Sequence, residues 1–189
     1  MSDFYIKVDE RDMKRVQRVL EDAPKKVPRV LRNAINQTAT IALRKIKQGR
    51  TAGYTIKAGT FNSEIQTQRA SAGHLDATIK SQGRPRTIQQ FKISKPKSGV
   101  KADITKSGLK GLVNSASASA FIVPGGSASG LIAQRETKSR FPIKVLHSNS
   151  VPMMVRKIYE GERGGQGEMQ DYIAKTLHDK VWEQVRKVI

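Results

Sequence analysis

Apolar positions recur with a period of two at the start of the chain, with a helical period through the next segment, in short alternating runs through the middle, and with a helical period again at the end. Phe4, Ile6 and Val8 share one face of a predicted strand over residues 4–8. Asp9 then stands where a helix cap belongs, ahead of a predicted helix over 10–22 whose apolar stripe is Met13, Val16, Val19 and Leu20 and which Pro24 ends. Over 27–48, Val27, Val30, Leu31, Ala34, Ile35, Thr38, Ile41, Ala42 and Ile46 keep helical spacing, which makes a helix about 30 Å long at ~1.5 Å per residue. Gly49 to Gly53 reads as a break, and 57–65 as a short helical turn with Ala58, Phe61 and Ile65.

From 70 to 114 the apolar runs shorten to 75–79, 87–93 and 100–104, with Gly83, Pro85, Pro96, Gly99, Gly108 and Gly111 between them, the pattern of a strand meander. Residues 120–123 and 131–135 flank the turn-forming run Pro-Gly-Gly-Ser-Ala-Ser-Gly and read as an antiparallel hairpin. Residues 141–146 form the next predicted strand, with Pro142 near its start, where a missing backbone donor matters least. Val151-Pro152 opens a helix through 159. Gly161 to Gly167 reads as a hinge or an interrupted helix, and Met169, Ile173, Leu177, Val181, Val185 and Val188 form one stripe of a terminal helix with Tyr172 and Trp182 at its edge. The pattern gives an α+β fold: an antiparallel sheet or meander flanked by a long helix in the N-terminal half and by a C-terminal helix. The expected organisation is a helical module with a leading strand (1–66), a basic β region (67–150) and a helical segment (151–189), together one structural domain.

Charge changes this picture more than composition does. The chain carries 35 Lys and Arg against 16 Asp and Glu, a net +19, and only 37% hydrophobic residues, so its helices are expected to finish their burial against neighbouring subunits. Residues 1–60 hold 14 basic and 6 acidic side chains, 61–150 hold 14 and 4, and 151–189 hold 7 and 6. A field of that sign favours polyanions and repels identical subunits unless something compensates it. Between Asp76 and Asp103 there is no acid, and Lys80, Arg84, Arg86, Lys92, Lys95, Lys97 and Lys101 fill the interval. With Lys106 and Lys110 they are the candidate DNA or polyanion contacts, suited to sequence-independent binding of a duplex backbone, the equal alternative being that they face solvent or an acidic partner; Phe91 is the one ring among them, too few for stacking on single strands. The cations Arg29, Arg32, Arg44, Lys45 and Lys47 on the long helix read as a solvated face.

Catalytic and cofactor chemistry finds no foothold in the pattern. There is no cysteine, and His74, His147 and His178 fall in three separate elements without metal-ligand spacing. Gly125 to Gly130 has the first spacing of a phosphate loop, but Leu131 stands where lysine is needed. Ser115, Ser117 and Ser119 lack a glycine elbow, Asn36-Gln37-Thr38 lies within a predicted helix, and nothing in the spacing brings Asp76, Asp103 and Glu136 together. No apolar run approaches the ~20 residues of a membrane span, and the first residues lack a signal-peptide core, so the expectation is a non-enzyme without cofactor or membrane partner, made in a cytoplasm.

Ala120-Phe121-Ile122, the glycine-rich tip, Gln134-Arg135, Arg140-Phe141-Pro142-Ile143-Lys144-Val145 and Val151-Pro152-Met153 resemble the minor tail protein Z family of tailed bacteriophages. Val27-Pro28 and Ala34-Ile35-Asn36 in the long helix, and the C-terminal helix, fall in matching order, so the resemblance spans roughly 24–189. It implies a structural role in completing the tail at its head-proximal end, as a homo-oligomeric ring with a hexamer favoured, next to tail tube, tail terminator or neck proteins and viral DNA. It also places the arm around 57–65 in the helical module. Closed rings need heterologous contacts, which are assigned to the long helices and to the hairpin and return strand through Phe121, Ile122, Leu131, Ile132, Phe141 and Pro142. Gly161, Gly164, Gly165 and Gly167 depart from the continuous C-terminal helix that the family implies. The reading from another class is a free, sequence-independent DNA-binding protein using the basic central segment.

Overall fold

The computed structural model describes residues 2–114, 117–137, 139–164 and 169–189. β1 (Ser2–Lys7) leads into α1 (Glu10–Val19), which begins where the Asp9 carboxylate accepts a hydrogen bond from Asp12 N at 2.7 Å. A 3-10 turn at Pro24–Lys26 feeds α2 (Val27–Gly53), whose buried residues follow the expected spacing. The helix does not break at Gly49 as its sequence predicts. Gly49 and Gly53 are buried inside its last turns, and a Cβ at Gly49 would strike the Ile158 side chain, while one at Gly53 would sit 3.1 Å from Gly164. These glycines serve close packing of two segments.

α3 (Ala58–Ser63) and β2 (Ile65–Gln68) follow, then β3 (Asp76–Ser81). β3 is the central strand of a sheet ordered β1-β3-β2, with Phe4 opposite Ile79 and Ile6 opposite Ala77. Residues 76–81 thus pair with the N-terminal strand, not with the run of strands that follows them. β4 (Arg86–Thr87) is separated from β5 (Lys92–Ser94) by a 3-10 turn at Ile88–Gln90, so the predicted strand over 87–93 is two short ones with different partners. β5, β6 (Lys101–Asp103) and β7 (Lys110–Gly111) make the local meander that the pattern predicts.

β8 (Phe121–Ile122) and β9 (Ile132–Arg135) form the expected hairpin, and β10 (Ile143–Val145) returns on the far side of β9. The Phe141-Pro142 peptide just before β10 is cis. β11 (His147–Ser148) pairs with β4, and α4 (Val151–Tyr159) starts with Pro152 in its first turn and the Ser150 hydroxyl as cap. α5 (Met169–Arg186) buries Met169, Ile173, Leu177, Val181 and Val185 mainly on α2; Val188 lies past the helix end. Residues 165–167 of the predicted hinge, and Ser115 of the serine run, lie outside the described residues.

The architecture is α+β, with the core divided in two. The larger cluster joins α1, α2, α4 and α5 to the inner face of the β1-β3-β2 sheet. The smaller contains Ile88, Val100, Ala102, Ala120 and Ile132 between the short sheets of residues 86–148. Ile104 touches both clusters, and the chain leaving α2 stitches them: Thr55 N donates to Ile104 O at 3.1 Å, the Thr55 hydroxyl donates to Asp103 O, and Lys57 N donates to Gln90 O at 2.9 Å.

Candidate interaction surfaces

The nine cations predicted to meet a polyanion do not converge. Lys80 lies on the outer face of the first sheet, directly across from Asp3 on β1 and Gln66 on β2. Arg86 is committed to an ion pair with Glu64, whose side chain is 10% exposed and whose carboxylate lies against Gly83. Lys92 stands opposite Asp103 in the β5–β6 ladder and shares its face with Lys101, while Lys110 is paired with Ala102 on the other face. Lys95 and Lys97 extend from the loop after β5; Arg84 and Lys106 occupy two further loops, Lys106 with a positive φ of 53°. Acid-free sequence here has become acid-flanked structure at Lys80, Arg86 and Lys92.

The predicted interface residues separate by strand parity. Residues directly opposite in an antiparallel pair share a face, and Ile122 is opposite Ile132, which is fully buried in the smaller core. Ile132 is therefore packing and not contact surface, a correction to the sequence assignment; Leu131 is half-buried beside the turn, where its amide donates to Ala128 O. Phe121, Ala133, Arg135 and Ile143 occupy the opposite face. Of these, Phe121, Arg135 and Ile143 line a cleft of 610 Å³ with Ile122, Arg140 and Phe141, whereas Ala133 is fully buried; Phe141 is 66% exposed there and Pro142 is exposed beside it. The Arg135 guanidinium lies 5.9 Å from the Phe121 ring centre and that of Arg140 5.8 Å from Phe141. Each arginine thus caps an aromatic ring by cation–π attraction, keeping positive charge at the lip of an apolar floor.

A second surface lies along α2, where the sequence pattern implied only solvation. Its 27 residues include six cations and no acid. Three grooves follow one side of it. One of 320 Å³ lies between Lys26, Arg29 and Lys187; one of 760 Å³ between Arg32, Arg69 and Lys180; and one of 490 Å³ beside Arg44 and Lys47. Among the described residues no acid lines any of them. The wall of the largest groove is built by Asn36, whose side-chain amide donates to Ala70 O at 3.0 Å while its oxygen accepts from Ala70 N at 2.9 Å. That two-way clamp fixes the backbone next to Arg69. At the α5 side, Glu183 receives Lys180 Nζ at 2.5 Å and Lys187 Nζ at 2.6 Å, and these hydrogen bonds, that of Lys180 first, hold its carboxyl down to about 2. The sequence did carry a signal for this surface: residues 23–63 are its longest interval without an acid, with nine cations.

His178 does have a structural partner, with Nδ1 2.7 Å from the buried Asp12 carboxylate between α5 and α1. Among the described residues no group of three His, Asp or Glu side chains is placed to hold a metal ion, and no helix is long and apolar enough to cross a membrane. Compared with family models, curated proteins and solved structures, the chain has no match.

Proposed function

We propose that the protein is a structural, non-enzymatic component of a bacteriophage tail, a minor tail or tail completion protein that works at the head-proximal end as a subunit of a ring, a hexamer being favoured, against tail tube, terminator or neck proteins. The observation that supports this reading is the cleft formed by the segment that carries the family resemblance. An exposed Phe141 and a half-buried Phe121 share an apolar floor on a chain that is otherwise strongly basic. Exposed aromatic residues with arginines beside them are the composition of interface hot spots. The small core behind the cleft, with five buried apolar residues, would gain burial from a neighbour.

The test is native mass spectrometry with negative-stain imaging of the purified chain, alone and with tail tubes, for the natural sequence and for Phe141→Asp. Phe141 is exposed, so the variant is expected to fold. The expected result is closed rings, or subunits that close on tube ends, with association weakened by about 30-fold or more in the variant, since interface hot spots contribute ~2 kcal/mol or more each. A natural chain that stays monomeric and ignores tubes, or a variant that assembles equally well, overturns the reading.

A further inference from the structure

We infer that the surface along α2 is a binding track for the phosphate backbone of double-stranded nucleic acid, running from Arg29 through the Arg32–Arg69–Lys180 groove to Arg44 and Lys47. The inference does not depend on the tail assignment. It also differs from the central basic segment, whose cations the fold disperses.

Four observations carry it. First, the cations are uncompensated: among the described residues the side chains of Arg29, Arg32, Arg44, Lys47 and Arg69 make no ion pair and no hydrogen bond. A solvated helix face ordinarily mixes both signs, because like charges three or four residues apart destabilise a helix. Second, they are aligned. Arg29, Asn33, Thr40, Arg44, Lys47 and Thr51 step by three, four or seven residues and so keep to one side of a helix. With 27 residues at ~1.5 Å each, the helix is about 40 Å long, enough to cross one turn of duplex.

Third, Asn33 between the cations is a neutral hydrogen-bonding group suited to phosphate oxygens, while the Thr40 hydroxyl beside it donates to Asn36 O at 2.9 Å within the helix. Fourth, among the described residues the three grooves have no aromatic lining, and Ile41 is the largest apolar side chain in the biggest of them. Protein interfaces need apolar or aromatic anchors at their centre, and single strands need rings on which bases stack. Among the described residues no ring lines the grooves and the apolar lining is limited to aliphatic side chains such as Ile41 and Val30, whereas duplex backbone requires only charge and donors in a fixed array. Asn36 supplies the fixing: by clamping Ala70 it holds Arg69 across the groove from Arg32.

The test measures affinity of the full chain for a random-sequence duplex of roughly two helical turns, as a function of salt between about 50 and 200 mM. The track variant combines Arg32→Gln, Arg44→Gln, Lys47→Gln and Arg69→Gln. A control variant makes the same charge change with Arg11→Gln, Lys14→Gln, Arg18→Gln and Lys175→Gln, all exposed elsewhere. Each backbone contact contributes ~0.9 to the slope of log K against log salt. The track variant is therefore expected to lower the slope by about 3 and affinity by ~100-fold at the upper salt, while the control lowers the slope by less than about 1. Circular dichroism checks that both variants keep their helices. Equal losses in the two variants mean that net charge alone attracts DNA, and overturn the track. An unchanged track variant does the same. Competition by a polyglutamate of equal charge as effective as by duplex assigns the surface to an acidic protein and overturns the nucleic-acid reading.

Discussion

The α2 track and the Phe121–Phe141 cleft are both arginine-rich, yet the arginines do opposite things. In the cleft, Arg135 and Arg140 are spent on rings of their own chain and border an apolar floor. On α2, Arg29, Arg32 and Arg44 have no partner among the described residues, and the grooves beside them hold no aromatic ring among those residues. The first arrangement suits a protein surface that brings its own hydrophobic anchor, the second a polymer of evenly spaced negative charge. The supports differ as well. The track lies on the element at the centre of the larger core, packed on α4, α5 and β3; the cleft lies on short strands over the smaller core. A rigid rod suits a regular polyanion, and a thin, under-buried sheet suits completion by a neighbour.

That difference in support is the largest effect to measure. Local stability scales with buried apolar contact. In native-state hydrogen exchange, amides in the middle of α2 and α5 are expected to exchange only through global unfolding, while those of β8 to β10 open locally and exchange at least ~100-fold faster, a gap of about 3 kcal/mol. Equal protection in the two regions would mean that the smaller core is as cooperative as the larger, and would remove the case for completion by a partner.

A sharper probe removes the tight seam under the C-terminal end of the track. Gly49→Ala places a Cβ against Ile158 on α4, with Gly164 O 3.2 Å away on the other side. Helix propensity favours alanine by ~1 kcal/mol, but overpacking of this kind costs ~1–3 kcal/mol. The steric term is expected to win, because Gly164 has a φ of +72° and its own Cβ position would collide with the Gly49 carbonyl, leaving little freedom to retreat. A net loss of about 1–2 kcal/mol in denaturant unfolding is the expected outcome, and a gain in stability would show that α4 yields easily.

The same glycines show where the sequence was legible and where it was not. The apolar spacing of Val30, Ala34, Ile41 and Ile46 is a local property, and it read correctly as a helix. Whether Gly49 ends that helix depends on Ile158, more than a hundred residues away. The hairpin was legible because its turn chemistry is contiguous; the pairing of β3 with β1 was not, because the two strands are separated by four helical segments. In strands of two to four residues the pattern also leaves the inward face undecided, which is why Ile132 was assigned to the surface and Ala133 to neither face. For the basic residues, sequence located acid-free stretches well enough. It could not foresee that Asp3 and Glu64 return to the central one from elsewhere in the chain and that Asp103 folds back across from Lys92, whereas among the described residues no acid lines the grooves along α2 and Glu183 reaches only the lysines on their α5 side.

The smallest effect tests an acid at the edge of the track, Glu183. Glu183 ties up Lys180 and Lys187, the cations facing the two grooves on the α5 side. If the track binds duplex, phosphate must compete with this carboxylate, and Glu183→Gln should free both lysines and raise affinity by ~2–5-fold at physiological salt, with the salt slope steeper by about 1. The pH dependence has a defined sign. The carboxyl is depressed to about 2 in the folded chain, so its contribution to stability is complete above its ordinary value of 4.5 and is lost only as pH falls toward 2. Between pH 5 and 8 Glu183 stays ionised, and the affinity ratio between the two proteins should be flat across that range. A ratio near one would mean that Lys180 and Lys187 stay outside the contact, confining the track to Arg29, Arg32, Arg44, Lys47 and Arg69; a reduced affinity in Glu183→Gln would mean that the carboxylate positions the lysines for phosphate instead of competing with it.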